Sequence, residues 1–347
     1  MKKNYHWWVF GVAFLTLLGA AGFRSTPAIL IDPLKKEFGW GRGTIGTAVS
    51  INVLLYGFIG PFAAALQMKY GLRRITIWAL SVISIGALLT TQISTTWHLY
   101  LLWGGVVGTG SGCLATVFAS TVATRWFVKN RGLVIGGLTA AGASGQLIFL
   151  PVLSRLADHY GWRWVGVTIA LSALAVIPFV ALLLRNYPSD VGLLPYGAEH
   201  DYVLPETSDR PIRAAFSAFT AAKRSGVFWM LWGSFFVCGL STNGLIQTHF
   251  LAAAGDHSVS ATDAASYLAL IGVFDVVGTI ASGWLTDRID PAKLLMVYYS
   301  FRGLSLLFLD PVLGTHGMGL VGFMVFYGLD WVATVPPTVS LCVERFG

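Results

Sequence analysis

Residues 162–184 read WRWVGVTIALSALAVIPFVALLL, and the only charged residue among them, Arg163, stands near the start. An α-helix needs about 20 mostly apolar residues to cross the hydrocarbon core of a bilayer, so this segment is long enough to span one. A segment in contact with lipid must satisfy its own backbone hydrogen bonds. Comparable apolar runs cover residues 7–31, 44–67, 75–93, 97–124, 132–157, 226–254, 263–286, 293–310 and 315–343. The sequence therefore predicts an all-α integral membrane protein with six helices, a break and four more helices.

The composition excludes a soluble globular protein. Of the 347 residues, 55% are hydrophobic and 11% are charged, whereas soluble domains carry about 25% charged residues. The net charge of +7 does not indicate nucleic-acid binding, because the basic residues lie in short loops and form no continuous basic face. The sequence contains no HExxH, GxSxG, Walker or metal-ligand pattern. We therefore expect no enzymatic activity, no cofactor and no metal.

The distribution of Lys and Arg predicts the orientation in the membrane. If the N-terminus is cytoplasmic, 16 basic residues lie on the cytoplasmic side, five lie on the opposite side, and two, Arg24 and Arg302, fall inside spans. Cytoplasmic loops of membrane proteins carry an excess of basic residues. Both termini are therefore expected in the cytoplasm.

A polar segment divides the apolar runs into two groups. Residues 185–225 include four prolines and no stretch long enough to span a bilayer, which is typical of a linker. We expect an N-terminal six-helix bundle at 1–184, a cytoplasmic central loop at 185–225 and a C-terminal, incomplete helical bundle at 226–347.

Two short segments repeat at a constant offset of 219 residues. Residues 64–74 read AALQMKYGLRR and follow the second run of the first group, while residues 283–288 read GWLTDR and follow the second run of the second group. Two related halves are a common plan among secondary transporters.

The repeated segments resemble the G-x-x-x-D-[RK]-x-G-x-[RK]-[RK] motif of the major facilitator superfamily. The first copy has Met68 in place of the acidic residue, whereas the second keeps Asp287. WFVKNRG at 126–132 and RNYPSDVGLLPYG at 185–197 resemble motifs of its monocarboxylate-transporter-like branch, including bacterial members. The resemblance implies twelve helices, alternating access and a bacterial inner membrane. The chain ends just beyond the tenth run, so we expect the last two helices to be missing.

Four charged residues fall at membrane depth, where a charge costs about 2.5–3.5 kcal/mol on insertion scales and usually marks a functional site. They are Arg24, Asp275, Arg302 and Asp330. Arginine can hold a carboxylate with two parallel hydrogen bonds, so Arg24 is a candidate for substrate binding. In the resembled fold Arg24 and Asp330 approach each other, as a ligand site, a gate or a structural pair. Further candidates for substrate contact are Asn243, Gln247 and Arg302, although the resembled fold places the ninth helix at the periphery, which favours a structural partner for Arg302 over a ligand.

Asp275 is the candidate for proton coupling, because intramembrane acids often serve as proton relays. The alternative is a structural hydrogen bond to Thr279, which lies one helical turn later. Carboxylate transporters of the resembled branch have an acidic residue at the position of Asp275 and often an arginine one turn later. This chain has Thr279 at that second position.

The resemblance also implies a gating role for the charged residues of the repeated motif. Asp287 is expected near the start of the fifth helix, where Arg131 and the positive end of the helix favour an anion. The remaining gating candidates are Arg288, Lys69, Arg73 and Arg74.

The leading prediction is a secondary carrier for a small organic anion, such as a monocarboxylate, together with protons. Two alternatives remain open. One is a carrier for a neutral or cationic solute or a drug, and the other is a truncated membrane protein that transports nothing.

Overall fold

The computed structural model describes residues 4–199, 211–259, 261–313 and 318–346. Within the helices some side chains lie outside the described part, among them those of Arg24, Asn243 and Gln247. In the described ranges the chain is helical, without a β-strand. The helices are Tyr5–Ala20, Gly22–Phe38, Arg42–Tyr70, Leu72–Thr90, Thr96–Leu99, Tyr100–Val107 (π), Gly108–Cys113, Thr116–Trp126, Arg131–Tyr160, Arg163–Leu183, Pro188–Val191 (3₁₀), Pro211–Ala222, Gly226–Gly239, Leu240–His249 (π), Phe250–Asp256, Ala261–Thr286, Pro291–Leu307, Leu309–Leu313, Met318–Asp330 and Val335–Phe346.

Seven helices within these described ranges are long and apolar enough to cross a membrane. They are Gly43–Tyr70, Leu72–Thr90, Thr96–Trp126, Arg131–Tyr160, Arg163–Leu183, Ser266–Thr286 and Met318–Phe346. The chain is thus an integral membrane protein, as its hydropathy predicted.

The remaining three of the ten predicted runs are not among these seven helices. The first run is divided at Ala21, between Gly19 and Gly22, which are poor helix formers. The seventh run changes to a π-helical segment after Gly239. The ninth run forms the helix Pro291–Leu307, which has 17 residues, fewer than the roughly 20 needed for a full span.

The described residues fall into two compact units. The first comprises residues 1–129 and 141–215, and the second comprises residues 130–140 and 216–347. The domain boundaries predicted at residues 184 and 225 stay a prediction.

Close helix packing in the first unit depends on glycines at four-residue spacing. A Cβ at Gly104, Gly108 or Gly112 would lie within about 3.2 Å of the helix Arg42–Tyr70, against Ile51, Asn52 and the carbonyl oxygen of Leu55. Small residues at this spacing let two helix backbones approach closely inside a membrane.

At one end of this unit the helix Gly22–Phe38 is tied to the start of Arg163–Leu183. Arg163 forms an ion pair with Glu37, with Nη2 and Oε1 2.6 Å apart, and Trp162 Nε1 also donates to Glu37. The hydrogen bond from Arg163 and, to a smaller extent, the one from Trp162 hold the pKa of Glu37 below its usual value, because they stabilise the carboxylate form.

At the opposite end, the start of the polar segment folds onto the first unit. Asn186 Oδ1 accepts a hydrogen bond from the backbone N–H of Arg73 at 3.1 Å. The carboxylate of Asp190 accepts from the backbone N–H groups of Asn186 and Tyr187. The backbone of Tyr196 pairs with Trp126 and Val128. Residues 186–196 therefore belong structurally to the first unit.

The second unit has an apolar core between its central helices. Its largest buried members include Ile246, Phe250, Ile271, Leu320, Phe323, Met324 and Tyr327. The helices Ala261–Thr286 and Met318–Asp330 lie closest where Gly278 faces the backbone of Leu329 and Gly328 faces that of Ile271. A Cβ on Gly328 would be 2.7 Å from the carbonyl oxygen of Ile271. Two glycines thus bring Asp275 next to the end of the helix Met318–Asp330.

This packing predicts that Gly328→Ala destabilises the protein, whereas Gly322→Ala on the same helix does not. The added methyl group at position 328 would clash with backbone, and overpacking costs about 1–3 kcal/mol. Nothing lies within 4 Å of a Cβ at position 322. Reversible unfolding in mixed detergent and SDS micelles measures both variants. Equal stability of the two would show that the close approach at Gly328 is unimportant.

Candidate functional site

The candidate site lies at a break in the last apolar run, and the break follows from two prolines. In a continuous helix the N–H groups of residues 336 and 337 would bond the carbonyl oxygens of Val332 and Ala333. Pro336 and Pro337 have no N–H. The helix Met318–Asp330 ends, residues 331–334 form a turn, and Val335–Phe346 begins a new helix. Several backbone groups at this point consequently need partners outside their own helix.

Arg302, from the helix Pro291–Leu307, supplies donors to the carbonyl side of the break. Its Nη2 donates to the carbonyl oxygens of Asp330, at 2.5 Å, and Trp331, at 2.8 Å. Its Nε donates to Oδ2 of Asp330 at 2.7 Å. The guanidinium therefore forms a buried ion pair and also satisfies two carbonyl oxygens at the C-terminal end of the helix. A cation is favoured at that end by the helix dipole.

Asp275, from the helix Ala261–Thr286, supplies an acceptor to the N–H side. Its Oδ1 accepts from the backbone N–H of Val332 and from the hydroxyl of Thr279, both at 3.0 Å. Ser282, two turns further along the same helix, donates to the carbonyl oxygen of Ala333. That oxygen is one of the two that lost its helical partner to proline. Side chains of two neighbouring helices thus hold both ends of the break.

The charges at the break do not balance. Asp275, Arg302 and Asp330 are 3%, 2% and 5% exposed, respectively. Arg302 is paired with Asp330, whereas the hydrogen-bond partners of Asp275 are neutral. Within the described part of the chain, the hydrogen bonds of Asp275 go to Oδ1, and Oδ1 of Asp330 is buried without a hydrogen-bond partner. Among the described side chains at the break, two carboxylates and one guanidinium leave one negative charge without a counter-ion, which is costly in a buried site unless it is neutralised.

The carboxylate of Asp330 is ion-paired with Arg302. The predicted approach of Arg24 to Asp330 is a separate contact and stays a prediction. The side chains of Arg24, Asn243 and Gln247 lie outside the described part, so their predicted roles in substrate binding stay predictions. The structural alternative considered for Asp275, a hydrogen bond to Thr279, is present.

Two side chains of the site, Cys238 and Ser282, were not predicted from the sequence. Arg302 Nη1 donates to Cys238 Sγ at 2.8 Å, and Cys238 lies 3.4 Å from Thr334 Oγ1. Cys238 gives no sequence signal, because it stands alone in an apolar run. Ser282 does give one, since it lies seven residues after Asp275 and therefore on the same helix face.

Asp287, the motif acid of the second half, binds the start of the helix Arg131–Tyr160 within the second unit. Its Oδ1 accepts from the N–H of Gly132 at 2.7 Å and its Oδ2 accepts from the N–H of Leu133 at 2.9 Å. An anion at a helix N-terminus is stabilised by the exposed N–H groups and the helix dipole. Gly132 and Gly283 pack backbone to backbone beside this contact.

Of the other gating candidates, Arg288, Lys69 and Arg74 are exposed, and Arg73 and Arg131 are half-buried. The guanidinium of Arg288 lies 3.9 Å from the ring centre of Trp284 and donates to the Trp284 carbonyl oxygen. Lys69, Arg73 and Arg74 line a cavity at the junction of two helices in the first unit. Their gating roles, like that of Asp287, stay predictions.

Comparison with known proteins identifies the class. Residues 10–347 match the Major Facilitator Superfamily. The chain therefore belongs to this superfamily of membrane transporters and is not an enzyme.

Two curated relatives indicate which transporters are similar. The chain is 25% identical over 349 residues to the uncharacterized MFS-type transporter YcxA of Bacillus subtilis (strain 168), covering 98% of this chain and 80% of that protein. It is 30% identical over 305 residues to monocarboxylate transporter 13 of Bos taurus, covering 86% of this chain and 65% of that protein. The chain thus spans about two thirds of the length of the second relative.

Solved structures of two proton symporters share the fold. The proton:xylose symporter XylE has a TM-score of 0.69 at 12% identity, covering 99% of this chain and 83% of that one. The Escherichia coli fucose:proton symporter FucP has a TM-score of 0.59 at 15% identity, covering 96% and 88%. These likenesses concern the fold alone.

The contacts at the break predict a strong effect of Arg302→Met on stability. The substitution leaves Asp330 without its cation and two carbonyl oxygens without a donor, and breaking a buried ion pair costs about 3–5 kcal/mol. The double variant Arg302→Met/Asp330→Leu should recover part of the loss, because it removes the stranded charge. Unfolding in mixed micelles measures all variants.

Arg288→Met is the matched control, because Arg288 is exposed and its contacts are local. A loss for Arg302→Met no larger than that for Arg288→Met would contradict the structural role of Arg302.

Proposed function

We propose that this chain is a secondary transporter that moves a small organic anion of the monocarboxylate class together with a proton, by alternating access. The observation that carries the proposal is the buried carboxylate of Asp275, which has no cation partner among the described residues and lies beside a break in a membrane helix. The similarity to monocarboxylate transporter 13 supports the substrate class. We propose a bacterial inner membrane as the location, with both termini in the cytoplasm.

Asp275 is the proposed proton-binding residue because of the charge balance around it. Among the described residues, the charged groups near Asp275 on the neighbouring helices are Arg302 and Asp330, and these two form an ion pair with each other. A proton on Asp275 would make the whole cluster neutral. Oδ1 already accepts two hydrogen bonds, so Oδ2 is the atom that would receive the proton. Proton uptake from one side of the membrane and release to the other would then drive transport.

Arg24 is the proposed cation for the substrate carboxylate. Of the two arginines in predicted spans, Arg302 donates through all three of its nitrogens to acceptors inside the second unit, so its donors are already engaged. Arg24 can hold a planar carboxylate with two parallel hydrogen bonds. Asn243 and Gln247 are proposed as further substrate contacts.

Asp287 is the proposed gating residue. Its two hydrogen bonds to the first turn of the helix Arg131–Tyr160 would have to break when that end of the transporter opens. Arg131 and Arg288 act with it in this proposal, and Lys69, Arg73 and Arg74 are their counterparts in the first half.

The proton-coupling role predicts that Asp275→Asn abolishes accumulation driven by a proton gradient. The amide cannot carry the proton, but it keeps a carbonyl oxygen to accept from Val332 and Thr279. Radiolabelled lactate uptake into proteoliposomes with an inward proton gradient is the measurement. Asp275→Asn should retain lactate exchange at equal pH.

Asp310→Asn, at an exposed carboxylate, is the control and should accumulate lactate as the parent chain does. Gradient-driven accumulation by Asp275→Asn at the parent rate would contradict the assignment. Accumulation of a neutral sugar and not of any carboxylate would favour the alternative substrate class.

The substrate role predicts that Arg24→Ala eliminates carboxylate uptake, and that Arg24→Lys retains only a small part of it. Lysine keeps the charge but cannot form the two-pronged contact. Initial uptake rates over a range of lactate concentrations are the measurement, made in this chain and in a version extended by two helices from a relative. Unchanged uptake in Arg24→Ala would contradict the role. Uptake in the extended version alone would mean that this chain by itself does not transport.

A further inference from the structure

A basic cavity lies at the end of the first unit where the helix Arg42–Tyr70 stops and Leu72–Thr90 starts. Its volume is about 640 Å³, and Lys69, Arg73 and Arg74 are among its lining residues. Asn186 and Tyr187 of the folded polar segment form another part of the wall. Both helices are long enough to span a membrane, so the cavity lies at a membrane boundary.

The three basic residues of the cavity outnumber the one carboxylate described at its wall, that of Asp190, which is bound to the backbone N–H groups of Asn186 and Tyr187. Within the described part of the chain, no carboxylate is ion-paired with Lys69, Arg73 or Arg74. Position 68, next to these residues, is a methionine. The first turn of Leu72–Thr90 adds the partial positive charge of a helix N-terminus. The cavity is therefore suited to an anion.

The helix below the cavity indicates which anion. Arg74 begins an exposed stripe that continues through Trp78, Ile85 and Leu89, at spacings of four, seven and four residues that keep one helix face. Trp78, Ile85 and Leu89 are 46%, 57% and 46% exposed. Apolar side chains exposed on a membrane-spanning helix contact acyl chains. A phosphate headgroup in the cavity and an acyl chain along this stripe would belong to one molecule.

We infer that this cavity binds the phosphate headgroup of an anionic phospholipid, whose acyl chain lies along Trp78, Ile85 and Leu89. Basic pockets at the ends of membrane helices bind anionic lipid headgroups. The cavity binds the lipid through charge and the stripe provides apolar contact, so a soluble phosphate ester would gain only the first contribution. The inference does not depend on which solute the protein carries.

Native mass spectrometry of the whole chain in detergent micelles tests the inference, with phosphatidylglycerol as the probe and phosphatidylcholine for comparison. We expect one phosphatidylglycerol molecule to be retained in preference to phosphatidylcholine. The double variant Arg73→Gln/Arg74→Gln should weaken this binding about tenfold or more, because each basic residue near a membrane surface contributes about 1 kcal/mol. Lys293→Gln, which removes a basic residue elsewhere, should bind as the parent chain does.

Two further measurements separate the lipid from other anions. Glycerol phosphate should displace the lipid poorly, and Trp78→Gln should weaken phosphatidylglycerol binding without affecting glycerol phosphate. Full displacement by glycerol phosphate would make the cavity a site for soluble anions and overturn the inference. Equal retention of the two lipids, or an equal loss in Lys293→Gln, would also overturn it. Melting curves of each variant verify that the fold is intact.

Discussion

A helix that breaks at membrane depth exposes backbone groups where no bulk water can bond them, and the second unit is arranged around this constraint. Each unsatisfied polar group in hydrocarbon costs several kcal/mol, so the break after Asp330 persists only because side chains replace the missing helical bonds. Arg302 serves the carbonyl oxygens and Asp275 serves an N–H group. Each charge has the sign that the helix end attracts. The glycines at 278 and 328 let the neighbouring backbone approach closely enough for these bonds to form.

The same arrangement places a proton-binding group where a conformational change would be felt. If Asp275 is the coupling residue proposed above, the same carboxylate binds the transported proton and accepts the hydrogen bond from the N–H of Val332. Loading the proton would then weaken the acceptor that holds the break. Discontinuous helices with exposed ends are a recurrent element of transporter sites. In this chain the discontinuity and the titratable group are in direct contact.

Much of the membrane architecture could be predicted from the sequence, because long apolar runs and intramembrane charges are local signals. The adjacent residues Pro336 and Pro337 are also a local signal for the interruption of the last run, because neither has a backbone N–H. The partners at the break were not predictable in the same way. Arg302 and Asp330 are 28 residues apart, and Asp275 and Val332 are 57 residues apart. One partner in the second pair is a backbone N–H, which every residue except proline possesses, so no residue type could reveal it. The pair of Asp330 with Arg302 joins two helices of the second unit, whereas the predicted approach of Arg24 to Asp330 stays a prediction.

The ion pair between Arg302 and Asp330 also constrains how the chain is made. Arg302 is synthesised first, and its own helix is short, at 17 residues. A lone arginine near the centre of a helix opposes insertion by about 2.5–3.5 kcal/mol. The carboxylate that neutralises it follows 28 residues later. We therefore expect the helix Pro291–Leu307 to insert poorly by itself and to be stabilised in the bilayer once Met318–Asp330 brings the carboxylate of Asp330 to Arg302.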